Sequence, residues 1–218
     1  MIRMKRVIPI ACAAAVFAAC APLEETNETT TGQAAGVLAD DPAPMFRDAM
    51  RGLWSDHVVW TRAYIIAAVD GHSSAGAAAA RLMQNQEEIG AAIAPYYGDE
   101  AGNQLTSLLK EHISIAVELV GAAKAGDQAG QTRADSLWHR NADEIASFLS
   151  GANPTNWSKP ALLDMLNEHL ALTTTEAVNR LQQKWDADVV VFDQIHDQAM
   201  MMADALSAGI MKQFPARF

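Results

Sequence analysis

Six polar residues interrupt the apolar stripes of this chain at nearly equal intervals, and that interval constrains the fold more than any other feature. His57, Asn85, His112, Asn141, His169 and His196 each fall where a helical stripe calls for a Leu, with spacings of 28, 27, 29, 28 and 27 residues. One helix of about 20–22 residues plus a short loop uses that many. Each polar residue therefore sits near the middle of its own helix, and antiparallel packing brings the middles to one level. The expectation is an all-α, antiparallel up-and-down bundle of about six helices. A polar layer of four His and two Asn would cross its centre.

The stripes agree with this reading. Segments 44–70, 74–93, 99–125 and 127–151, one starting at 158, and 184–213 repeat apolar residues at helical intervals. Gly71, Gly98, Gly126 and Asn153-Pro154 punctuate them. The last two segments would also read as one bent helix. The hairpins echo each other. Asn85-Gln86-Glu87-Glu88-Ile89-Gly90 matches Asn141-Ala142-Asp143-Glu144-Ile145-Ala146, and Leu108-Leu109-Lys110-Glu111-His112-Ile113 matches Met165-Leu166-Asn167-Glu168-His169-Leu170. Their offsets, 56 and 57 residues, indicate a duplicated helical hairpin. Half of the 218 residues are hydrophobic, enough for one core, so residues 45–218 read as one bundle domain.

The N-terminus reads as an address. Arg3, Lys5 and Arg6 precede an apolar run over 7–19, too short to span a bilayer, that ends Val16-Phe17-Ala18-Ala19-Cys20. Small residues before a Cys resemble the lipobox of bacterial lipoproteins, which implies removal of a signal peptide, 1–19, and lipidation of Cys20. An ordinary signal peptide cut nearby is the alternative. Residues 20–44 are polar and small, with no apolar period, and read as a flexible tether. Cys12 and Cys20 are the only cysteines, so the mature chain has no disulfide and no thiolate ligand. The net charge of −10 becomes −13 once Arg3, Lys5 and Arg6 leave, which disfavours nucleic acid and anionic lipid surfaces. Attachment to the cell envelope would come from the lipid. Ala21 after the Cys resembles an outer-membrane address, periplasmic face, in a Gram-negative host.

A polar layer in an apolar core needs partners, because each unpaired buried group costs about 1–3 kcal/mol. Mutual hydrogen bonding is one solution. A metal or cofactor is the other, with imidazole the commonest neutral ligand. The candidate ligands are His57, His112, His169 and His196, with Asp193 one turn before His196; Asn85, Asn141, Glu88 and Glu144 would support them. A carboxylate-bridged di-iron site is not indicated, since Trp54, Leu109 and Leu166 stand three residues before His57, His112 and His169. The set suits Cu, Zn or Fe, and Met200-Met201-Met202 adds thioethers that favour copper or else fill core. Covalent c-type haem lacks its Cys-x-x-Cys-His, whereas a b-type haem between two facing histidines stays open. Metal affinity is expected to fall as pH drops through about 6.5, where free imidazoles protonate. His72 and His139 lie off the stripes and read as surface residues.

No phosphate loop, Gly-x-Ser-x-Gly or His-Glu-x-x-His is present, so the chain reads as a binding or structural protein more readily than as an enzyme. A hydrolase or oxidoreductase working at a His-rich metal is a third reading. Leu53-Trp54-Ser55-Asp56-His57-Val58-Val59-Trp60-Thr61-Arg62, Pro95-Tyr96-Tyr97-Gly98 with Leu108 through Ile113, Asn141 through Ser150 with Ala152-Asn153-Pro154, and Gln213-Phe214-Pro215 carry a resemblance over residues 45–215. They resemble a poorly characterised family of small all-helical bacterial envelope or secreted proteins, here with a lipoprotein-type signal. That resemblance implies a helical bundle and transfers no activity. Two functions then compete: a lipid-anchored bundle binding a transition metal or haem, and a structural lipoprotein whose His/Asn layer only fixes helix register. The address is testable directly. Mass spectrometry of the mature protein should find a lipid-modified N-terminal Cys20; an unmodified start elsewhere refutes it.

Overall fold

The computed structural model describes residues 41–218; the signal and residues 20–40 of the tether lie outside them. Six helices follow: α1 (Pro42–Asp70), α2 (Ala75–Tyr97), α3 (Asp99–Ala125), α4 (Gln128–Ala152), α5 (Lys159–Leu181) and α6 (Trp185–Gln213). A 3-10 turn, Pro215–Arg217, closes the chain. Helix α1 begins within the expected tether, because Asp41 accepts a hydrogen bond from the Ala43 amide and Pro42 presets the first turn. Gly71 and Gly126 end α1 and α3 in left-handed conformations, at φ 71° and 69°. Helix α2 runs through Pro95 to Tyr97, four residues beyond the expected stop. Near its C-terminus Pro95 forfeits a single intrahelical hydrogen bond. Tyr96 and Tyr97 then hold the last turn by packing on Phe46, Phe214, Phe218 and Trp157. Helices α5 and α6 are separate, divided at Gln183, whose φ is 58°.

Each helix packs on its sequence neighbours, and α6 returns to α1, so the six close into a ring. Helix α1 also touches α3 and α5, while α3 and α5 barely meet. The chain enters at one end with the start of α1 and leaves there with the end of α6. A continuous apolar core fills that end, from Met50 and Trp54 through Ile89, Leu105 and Ile145 to Leu166 and Leu206. Trp157 lies against Gly209, and its indole N–H donates to the Ala205 carbonyl, binding the α4–α5 connection to α6.

The first half of α6 is rotated relative to its sequence stripe. His196, expected inside, is half-buried, and Trp185 and Val189 are exposed; Asp188, Val191 and Ile195 are buried instead. Apolar residues surround this stretch on all sides, so the period is ambiguous. The ion pairs decide it. Arg62 on α1 reaches Asp188 at 2.9 Å and Glu176 on α5 at 2.5 Å, both acids buried. Turning α6 the other way would take Asp188 away from Arg62 and leave Glu176 as its one carboxylate partner.

Gly90 and Gly102 let α2 and α3 approach closely. A methyl group on Gly90 would fall 1.9 Å from Thr106 Oγ1 and 2.5 Å from the Gly102 carbonyl oxygen, whereas one on Gly121 meets nothing within 4 Å. In urea unfolding, Gly90→Ala should lose about 2 kcal/mol or more. Gly121→Ala should gain about 0.5–1 kcal/mol.

A candidate metal-binding histidine layer

The layer forms, with one exchange. His57, Asn85, His112, Asn141, His169 and Gln198 each lie within one residue of the midpoint of their helix. Each consecutive hairpin repeats one construction: the first helix supplies a His, and the second supplies an amide. Asn85, Asn141 and Gln198 donate amide hydrogens to the carbonyls of Leu53, Leu108 and Met165, at 3.0, 3.1 and 2.8 Å. Those carbonyls stand four residues before His57, His112 and His169. With the NH2 groups of Asn141 and Gln198 thus committed, their oxygens face the rings. Asn141 Oδ1 accepts from His112 Nδ1 at 2.9 Å, and Gln198 Oε1 accepts from His169 Nδ1 at 3.3 Å. Both rings are thereby fixed as Nδ1–H tautomers with a bare lone pair on Nε2. At His57 the arrangement is denser: Gln86 Nε2 lies 3.3 Å from Nδ1 while donating to Leu82 O and Asn85 Oδ1.

The three histidines are 2–4% exposed and line one cavity of about 70 Å3 in the half of the bundle away from the chain entry. It fills the gap that α3 and α5 leave. The rings of His57 and His169 are 5.6 Å apart, centre to centre. Among the described residues no hydrogen bond reaches Nε2 of His57, His112 or His169. Thr173 Oγ1 and Trp138 Nε1 also face the cavity, buried and without partners. Gln131, Thr174 and Val178 form its outer rim.

Two expected ligands stand elsewhere. Asp193 is exposed, and His196 is half-buried beside Ser55, 3.5 Å from its hydroxyl, on the outer α1–α6 seam. The rotation of α6 puts Gln198 in the layer in place of His196. Glu88 pairs with Arg81, and Glu144 with Arg140, so neither supports the layer. The methionines do not serve it: Met202 lines a separate apolar cavity of about 30 Å3 near the chain entry, and Met201 is exposed. Gln86, Gln198, Thr173 and Trp138 were not singled out by sequence. For the two glutamines a signal existed: each lies 29 residues after its His, as Asn141 lies after His112. Among the described residues no group of three or more His, Cys, Asp or Glu already stands as a ready metal cage. The 5.6 Å between the ring centres of His57 and His169 is compatible in distance with a shared ion. With each nitrogen about 2 Å from the metal, two rings can share it at centre separations up to about 6 Å. The cavity is far below the roughly 300–1,000 Å3 of cofactor clefts, so an ion suits it and a haem does not.

Burial holds the imidazoles neutral. His112 is pushed down to about 3 and His169 to about 4 by desolvation, and His57 lies well below its usual value for the same reason, with His169 adding repulsion. The imidazoles thus stay unprotonated well below pH 6.5, which corrects the expectation from free histidine. Glu176 moves oppositely, raised to about 7 because burial outweighs the pull of Arg62. No known protein family, curated protein or solved structure matches this chain.

These shifts set the acid stability of the metal-free protein. Below pH 6.5 the unfolded histidines bind protons that the folded ones refuse, so stability falls as pH falls. Glu176 partly offsets this by binding its proton in the folded state first. At about pH 5.5, unfolding should take up about two protons net, a slope of about 2.5 kcal/mol per pH unit. Urea unfolding at a series of pH values measures it, and a flat profile between pH 6.5 and 5 would refute the neutral buried layer.

Proposed function

We propose that this chain is a lipid-anchored envelope protein that binds a transition metal ion (Cu, Zn or Fe) inside its helical bundle. His57 and His169 are the primary ligands and His112 is the third imidazole. One observation carries the reading: amide oxygens orient His112 and His169, and these two line one shared cavity with His57, with no hydrogen bond at any of the three Nε2 atoms among the described residues. Amide oxygens on Nδ1 are the outer support that orients ligating histidines and makes them better donors. The orphaned Thr173 hydroxyl adds a polar wall that an ion with a bound water would satisfy.

The anchor rests on the sequence around Cys20. Among the described residues no helix is long and apolar enough to cross a membrane. The chain enters the bundle at Pro42, at the end opposite the cavity.

A second reading has its own support. The three amide-to-carbonyl bonds lock each hairpin at one register, and enclosed water would suffice for the remaining polar atoms. Elemental analysis of protein purified from its native envelope separates the two. The metal reading expects one transition metal ion per chain, lost in His57→Ala and His169→Ala and retained in His72→Ala and His196→Ala. Asn141→Ala should weaken binding about 10–100-fold by releasing His112. A folded wild-type protein that holds no metal above trace would leave the register reading in its place.

A further inference from the structure

The cavity around the histidine layer contains polar atoms and no negative charge. Its lining includes three imidazoles, three threonines, Tyr64, Gln131 and Trp138 among apolar side chains, and neither Asp nor Glu. The nearest buried acid on α5, Glu176, is one turn beyond Thr173 but turned to the other side, where Arg62 binds it together with Asp188. The acids on the surrounding helices are similarly engaged outside: Asp70 with Arg180, Glu88 with Arg81, and Glu87 with Lys110. An ion in this cavity would be held by neutral donors alone.

That charge balance discriminates among metals. The cost of moving an ion out of water grows with the square of its charge, so a dication pays about four times what a monocation pays. Iron(II) and zinc(II) sites ordinarily recover that cost with carboxylates, thiolates or a bound hydroxide. Cu(I) carries one charge, has a closed shell, and is content with two or three nitrogen donors. His57 and His169 provide a close pair of imidazoles, and His112 faces the same space. The methionines play no part, since Met202 belongs to the other cavity.

Building on the metal-binding reading above, we propose that the His57–His112–His169 cavity is a site for monovalent copper, selected by the absence of an anionic ligand. Oxidation to Cu(II) would double the buried charge with no carboxylate or thiolate in the lining to compensate it, which holds the bound ion in its reduced state.

The metal-free mature protein is titrated anaerobically with Cu(I) in competition with a chromophoric chelator, and separately with Zn(II). One Cu(I) should bind per chain, at least about a hundredfold more tightly than Zn(II), as the unbalanced second charge of zinc demands. The copper protein exposed to air should give no Cu(II) paramagnetic resonance signal, and X-ray absorption should find two or three nitrogen neighbours and no sulfur. Thr173→Asp adds a carboxylate to the cavity wall and should narrow the copper preference by tenfold or more, while Thr173→Ser leaves it unchanged. Zinc binding as tight as copper, or a strong Cu(II) signal, would overturn the monovalent assignment and leave the metal site standing. Failure of the wild-type protein to bind either ion would remove the metal site itself.

Discussion

The hydrogen bond from a mid-helix amide to the backbone carbonyl of the preceding helix is the interaction on which this fold turns. It occurs three times, from Asn85, Asn141 and Gln198, always to the carbonyl four residues before a histidine. Apolar contacts drive the collapse of a bundle, but they are non-directional and tolerate sliding by a turn. A buried amide does not tolerate it, because a slip leaves donor and acceptor unpaired in an apolar medium. In the second and third hairpins the amide has its oxygen left over, and that oxygen settles which imidazole nitrogen carries the proton, so register and tautomer are one decision there. In the first hairpin the Asn85 oxygen is taken by Gln86 instead.

The bundle divides along its length around that layer. Toward the chain entry, apolar packing is continuous and the aromatic residues Phe46, Tyr96, Tyr97, Phe214 and Phe218 close the end. Beyond the layer, α1 keeps contact with both α3 and α5, but those two stand apart. The buried Arg62–Glu176–Asp188 cluster binds α1, α5 and α6 on one side of the gap. Charge is concentrated outside the cavity while its interior is left neutral, and burial there gives the histidines their low proton affinity.

Helix number, direction and most of the layer were legible in the sequence because they depend on local pattern and spacing. Five of the six expected layer positions, His57, Asn85, His112, Asn141 and His169, are buried at mid-helix. His196 failed because a helix with apolar residues on every side has no unique inward face. Its rotation is settled by Asp188 meeting Arg62, a contact 126 residues apart in sequence. The pattern of a single helix cannot reveal that pairing, although the constant 29-residue step from His to amide did point to Gln198. The cavity was likewise invisible, since it arises from how far apart α3 and α5 stand. The shift of the histidines toward neutrality follows from depth of burial, which spacing alone does not measure.

Three hairpins of one plan joined in a single chain have a mechanical consequence. Each braces its own histidine from its own second helix, so no hairpin needs the others to orient its imidazole. The polypeptide joins the hairpins only at Gly98 and across residues 153–158, both at the chain-entry end. An ion gripped by rings from different hairpins would rivet them at the far half, where α3 and α5 have little contact of their own. Occupancy would then be felt less within any helix than as cohesion between hairpins, tightening the half of the molecule that the chain itself leaves unlinked.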